Sequence, residues 1–258
     1  MKLTSALLLL AATPIWGANV VASNGTWSDP SIWTDLGDNS NHLPGNVTDQ
    51  SDNAIINNGR TVTLSSDQTT LNGTLSTVTV GNQTSASIAT SNLIMTSTAA
   101  LSINNFYMGG NGAAGYLTYE DGASMVVSGQ FLMNDNTDDE GNGSSSSTLK
   151  IVLGATGLES AIAVTTLNLR QNLNDAILEI DASALINDQQ RTIDLMTISN
   201  SGFGQFNQVN ITGIDDAGYS ADVFYTSNSL QLRVVPEPSS TLLTVLGSFA
   251  ILARRARA

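Results

Sequence analysis

The chain has 258 residues, of which only 12% are charged and 5% aromatic, and its formal net charge is −13. Such an acidic body repels phosphate backbones, which argues against nucleic acid as a partner. With no cysteine there is no disulfide framework, thiolate metal site, cysteine nucleophile or acylated cysteine anchor.

The first residues, MKLTSALLLLAATPIWGANVVAS, place Lys2 before an apolar run, Ala6 to Ala12, and then small residues. This is the layout of a secretory signal peptide, expected over residues 1–22 as a leader helix. Cleavage fits near Ala18 or after Ala22. Ala22 is preferred, because Val20 is smaller than Trp16 three positions before the cut.

Residues 23–60 form a segment of their own. Trp27 and Trp33 precede Leu43-Pro44-Gly45 and Ala54-Ile55-Ile56. Two roles are open for the tryptophans: covering the exposed core of a first β-rung, or stacking on sugar rings. His42 is the only histidine, and no G-x-S-x-G elbow is present. A Ser-His-Asp site and a histidine-based zinc site therefore both lack their parts.

From residue 61 to 175 the pattern is short alternating runs bounded by Gly, Asn, Asp and Ser, such as TVTL at Thr61, STVTV at Ser76 and TLKIVL at Thr148. Period-two alternation predicts strands with one wet face. A repeat runs through them. NFYMGGN, from Asn105, and QFLMNDN, from Gln130, lie twenty-five residues apart. They are preceded by NLIMTSTAALSI and YLTYEDGASMVV respectively, and TLKIVLGATGLESAIAVTTLNL reads as a stretched third copy. Repeats of this length predict solenoid rungs. The tract resembles the β-helical, autotransporter-like repeats of secreted bacterial surface proteins. That resemblance implies an all-β fold, a right-handed parallel β-helix with capping hairpins; a β-sandwich is the alternative. The segment around Trp27 and Trp33 resembles the tryptophan-bearing opening of such solenoids, where bulky rings close the first rung.

The loop NDNTDDEGNGSSSS crowds Asp135, Asp138, Asp139 and Glu140 together. These oxygens suit calcium, although the spacing is not that of an EF-hand, and a solvated acidic loop is the plainer expectation. No other cofactor is indicated. Glycoside hydrolysis needs two acids across a cleft. Candidate pairs are Glu120 with Asp121, Glu179 with Asp181, and Asp215 with Asp216, and a lyase would add Lys150 or Arg170 as base. Nothing in the sequence singles out any of them, and no catalytic residue is assigned. Residues 176–235 read as β-hairpins closing the far end, filled by Phe203, Phe206, Tyr219, Phe224 and Tyr225.

The tail, residues 236–258, differs from everything before it. Pro236-Glu237-Pro238 is stiff and non-helical. Ser239 to Ala253 carries no charge, and Arg254, Arg255 and Arg257 follow. As a helix, 239–253 would span roughly 22 Å at about 1.5 Å per residue, a marginal transmembrane segment against a hydrocarbon core of about 30 Å. The arginines would hold the C-terminus in the cytoplasm, and a leader would send the body to the other side. This order of Pro-Glu-Pro, apolar helix and arginine cluster resembles the PEP-CTERM sorting signal. The resemblance implies processing by an exosortase at the inner membrane and release to the cell surface or exopolysaccharide matrix; a plain tail anchor is the alternative. The expectation is thus an exported, non-enzymatic, structural or adhesive matrix protein contacting extracellular polysaccharide. The alternatives are a dedicated carbohydrate-binding module, or a polysaccharide lyase or hydrolase.

Overall fold

A run that alternates apolar and polar side chains can bury one face only if another sheet covers it. In the computed structural model, which describes residues 17–46, 51–69, 74–82, 89–110, 113–135, 146–169, 176–186, 190–200, 204–214 and 219–236, every such run is a strand. The chain is all-β; among the described residues the sole helical piece is a 3-10 turn, Pro30–Ile32, capped by the Asp29 carboxylate. In chain order the strands are β1 (Asn19–Ala22), β2 (Gly25–Thr26), β3 (Trp33–Asp35), β4 (Ser51–Ile56), β5 (Thr61–Leu64), β6 (Thr74–Asn82), β7 (Ser91–Met95), β8 (Ala100–Ile103) and β9 (Asn105–Gly110). They continue with β10 (Gly115–Glu120), β11 (Ser124–Asp135), β12 (Ser147–Val152), β13 (Ile162–Leu169), β14 (Ala176–Asp181), β15 (Arg191–Ile198), β16 (Gln208–Thr212), β17 (Tyr219–Tyr225) and β18 (Ser229–Pro236).

The chain deals these strands alternately into two sheets. One sheet runs β17-β18-β15-β13-β11-β9-β6-β4-β1-β3, with β8 beside β11, and the other runs β16-β14-β12-β10-β7-β5-β2. Pairing is parallel from β1 to β16; only β1 with β3, β15 with β18 and β17 with β18 are antiparallel. Each strand therefore finds its hydrogen-bond partner one circuit away. The separation varies from 23 residues between Asp52 and Leu75 to 37 between Val126 and Ala163.

Between the sheets lies one continuous core built of columns. Val62, Leu93, Leu117, Leu149 and Leu178 stand in register and are fully buried. Across from them Ala54, Val78, Phe106 and Phe131 do the same, with the two phenyl rings 5.0 Å apart. Stacking like on like buries each side chain against its copy above and below, and every fully buried Leu, Val or Phe contributes about 1.5–3 kcal/mol. The repeat legible in the sequence is this register: Phe106, Tyr107 and Met108 pair with Phe131, Leu132 and Met133. The third, stretched copy is β12 and β13, which pair with β10 and β11.

One corner keeps the columns aligned. After the registered core residues Val80, Met108 and Met133, the chain turns through Gly81, Gly109 and Asn134 with φ of 75°, 69° and 61°. A Cβ at Gly109 would come within 2.1 Å of Ser147 Oγ, so only glycine fits there. Asn134, which tolerates the left-handed region better than most residues, uses its side-chain oxygen to accept the Ser147 amide at 3.2 Å.

Three expected boundaries move. β1 lies within the residues assigned to the leader, yet it pairs with both β3 and β4 and buries Val20 and Ala22 completely. A cut after Ala22 would remove a core strand, so the folded body starts no later than Asn19 and the cut near Ala18 is the one compatible with it. The parallel stack also extends past 61–175 on both sides. β4 belongs to it inside the supposed cap, and β14, β15 and β16 precede the single closing hairpin, β17–β18. Residues 1–16 and 237–258, with Glu237, Pro238, Arg254, Arg255, Arg257 and the apolar stretch 239–253, lie outside the described residues. No helix among the described residues is long and apolar enough to cross a membrane.

Candidate functional site

Trp27 and Trp33 are both fully buried. Their rings meet edge-on, with centroids 4.8 Å apart and planes at 64°, and Trp33 Nε1 donates to the Trp27 carbonyl at 2.9 Å. Neither ring offers a face to solvent, so the sugar-stacking role open to them in the sequence has no surface to act through. They fill the end of the core, where β3 reverses direction against β1. Near the start of β4 the buried carboxylate of Asp52 accepts the amides of Gly45 at 2.8 Å and Ala18 at 3.3 Å, with His42 Nε2 3.5 Å away. His42 Nε2 is buried and makes no hydrogen bond among the described residues.

The wet face of the second sheet brings together groups that the sequence left scattered. Thr118, Lys150, Glu179 and Asn210 form one outward column, and Glu120, Val152, Asp181 and Thr212 the next. Tyr116 reaches across β12 to donate its hydroxyl to Glu179 Oε2 at 2.6 Å. Burial, followed by the Glu179 hydrogen bond and charge, raises the Tyr116 phenol well above its usual range and keeps it a donor. Lys150 Nζ lies 3.5 Å from Asp181 Oδ2. Asp181 also accepts the Ser183 hydroxyl at 2.7 Å and amide at 3.2 Å; these bonds, the hydroxyl first, hold its carboxyl below the usual carboxylate range.

The Glu179–Asp181 pair does share a face, as two-residue spacing on a strand requires. The two acids stand side by side, however, and each is held by its own partner. They do not confront one another across a gap, the arrangement on which glycoside hydrolysis depends. Tyr116 is the residue that sequence reasoning missed. Its contact with Glu179 spans 63 positions and two strand steps, and no local pattern announces it.

Among the other candidates, Asp138, Asp139, Glu140, Arg170, Asp215 and Asp216 lie outside the described residues, and Asp135 is described only as the backbone end of β11. Among the described residues no three His, Asp or Glu side chains converge as a metal site. Asp121 accepts the Glu159 amide at 2.7 Å and so pins a turn, apart from its neighbour Glu120.

The first sheet carries a different outward row. Asn19, Asn53, Thr77 and Asn105 stand in register. Gln130 follows, its amide donating to Asn105 Oδ1 at 3.1 Å, and pairs with Thr166. Asn53 Nδ2 donates to Asn19 Oδ1 at 3.0 Å, and Asn200 Nδ2 to Thr166 Oγ1 at 3.4 Å. The result is a file of amides and hydroxyls, one per rung, each with capacity left for an outside partner. No protein-family model, curated protein or solved structure matches the chain.

Proposed function

We propose that the chain is an exported bacterial surface or matrix protein, structural or adhesive and not enzymatic, whose C-terminal tail is a PEP-CTERM sorting signal processed by an exosortase. The body is read as a right-handed parallel β-solenoid. Repeated passage of the chain between two largely parallel sheets supports this, and parallel crossover connections are almost always right-handed. Its role is to present files of hydroxyl and amide groups to extracellular polysaccharide, many weak contacts acting together.

The observation that carries the reading is where the tail begins. β18 ends at Pro236, an exposed residue and the first of Pro236-Glu237-Pro238. The Leu230, Leu232 and Val234 side chains just before it are fully buried. A cut in that motif would release the body without touching its last core strand. Arg254, Arg255 and Arg257 behind the apolar stretch 239–253 supply the orientation. An enzymatic role would draw on Lys150, Glu179 and Asp181, which already pair within the wall.

The test is mass spectrometry of the protein recovered from cells and medium, together with protease shaving of intact cells. Mature chains beginning near Asn19 and ending between Pro236 and Ser239, shaved from intact cells, are the expected result. An intact C-terminus held in the membrane would favour a plain anchor, and a body protected from external protease would overturn the export reading.

A further inference from the structure

Strands β15 and β18 do not pair evenly. Asp194 faces Gln231, and Thr197 faces Ser229, but between them Leu195 and Met196 stand opposite Leu230 alone. Both extra side chains are buried. The bulge therefore turns Asp194 and Thr197 outward on the same side, where strict alternation would have sent them to opposite faces. Bulges re-aim side chains in this way and are common beside binding sites. At this one a hollow of about 560 Å³ opens, floored by Ile198 and walled by Asp194, Thr197, Ser199, Asn228, Ser229 and Gln231. That volume lies within the range of small-molecule sites.

The walls are unusually uniform in chemistry: one carboxylate, two amides and three hydroxyls, with no cationic or aromatic group among the lining residues. Gln231 Nε2 donates to Asp194 Oδ1 at 2.6 Å, which fixes the carboxylate in place. Among the described residues, no partner occupies Asp194 Oδ2 or the hydroxyls of Thr197 and Ser199. A fixed carboxylate oxygen flanked by hydroxyls accepts hydrogen bonds from neighbouring hydroxyl groups and repels anions. A single carboxylate is also too few for a divalent cation, which prefers several charged oxygens.

A row of outward residues leads away from the hollow. Thr197 is in register with Ala163, Ala163 with Val126, and Val126 with Ser102. Val126 is 44% exposed, one of the few large apolar side chains that the fold leaves in water among the described residues. The row from Ser102 to Thr197 thus crosses the stack, polar at its bulged end and apolar at Val126 and Ala163. It advances about 4.8 Å per strand, close to the length of one pyranose in an extended chain. A pyranose has the same two-sided character, hydroxyl rim and C–H face.

We propose that the hollow at the β15–β18 bulge, with the outward row of Ala163 and Val126 beside it, is a binding site for a neutral, hydroxyl-rich glycan. This rests on the matrix reading only for the source of the ligand; the recognition itself stands on the site. The test is affinity electrophoresis of the full-length chain in gels containing a soluble β-glucan, an α-glucan, a mannan or a polyuronate, with and without a chelator. Retardation by at least one neutral polymer, unchanged by chelator and absent with polyuronate, is expected. Asp194→Ala and, separately, Ala163→Arg each weaken it roughly 10-fold or more, while Glu179→Gln on the opposite sheet leaves it unchanged. Circular dichroism establishes that the variants fold, and Ala163 is half-buried on the outer face, so a larger side chain there obstructs the row without entering the core. No retardation by any neutral polymer, a preference for polyuronate, loss with chelator, or retardation that survives both variants overturns the site. Protease shaving of intact cells reads export independently, so binding by the purified chain can fail while the export reading stands, and the reverse.

Discussion

The two ends of the stack are closed by opposite means. At the first rung, bulk and burial do the work: two fully buried tryptophans and a buried Asp52 that satisfies two backbone amides. At the last, β17 and β18 fold back as an antiparallel hairpin in which β18 buries Leu230, Leu232 and Val234 while the side chains of β17 stay half in water. Its ion pair, Arg233 to Asp222 at 3.6 Å, is largely exposed. The Tyr225 hydroxyl oxygen accepts the Phe206 backbone amide at 2.8 Å, and the Arg233 guanidinium rests over the Phe224 ring. An open sheet edge has to be blunted somehow. Where the chain arrives early it uses core; where it leaves, it uses another strand.

The contrast predicts that the first end dominates stability. Trp33→Ala should cost about 3–5 kcal/mol, with amide-exchange protection lost from β1, β4 and β5 before β15 and β18. Equal loss at both ends would mean that the stack melts as one unit and the comparison has no energetic content. Asp52→Ala leaves the Gly45 and Ala18 amides unpaired and should cost about 2–3 kcal/mol in denaturant unfolding, again local to the first rung. Alkali sharpens the comparison from the other side. Burial raises the phenols of Tyr225 and, to about 12, Tyr119, whose hydroxyl sits between the carbonyls of Ala123 and Ser160. A raised folded pKa stabilises the native state below pH ~10 and loses that contribution as pH climbs through the folded value. The middle should therefore loosen between about pH 10 and 12, and the far end as pH rises above about 10, while the tryptophan fluorescence of the first end holds, and Tyr119→Phe should flatten the dependence in the middle. Arg233→Ala, at an exposed pair, should change the unfolding midpoint by no more than about 0.5 kcal/mol.

Much of this architecture is legible in the sequence because it is local. Alternation in TVTL and TLKIVL marks strands. The twenty-five-residue echo of Phe106-Tyr107-Met108 in Phe131-Leu132-Met133 is also the spatial register. The capping role open to Trp27 and Trp33 is legible too, since an end rung must be covered. What stays hidden depends on circuits of unequal length. Which outward residues meet follows from loop lengths that vary between rungs, so the Tyr116–Glu179 contact and the Ser102-to-Thr197 row have no sequence signature. The β15 bulge is hidden for a different reason: in RTIDLMTI the pair Leu195-Met196 merely looks like a lapse in alternation. The placement of β1 runs against the leader pattern because small, apolar residues serve a peptidase site and a core strand equally well.

The antiparallel strands at both margins of the first sheet carry a consequence for growth. A second molecule approaching the first end would meet β3, whose backbone runs the wrong way for that sheet, while the other sheet still ends there in a parallel strand, β2; at the far end β17, antiparallel to β18, which is itself antiparallel to β15, runs with the stack again. Fibre formation by continuing both walls at once is thereby frustrated at the first end.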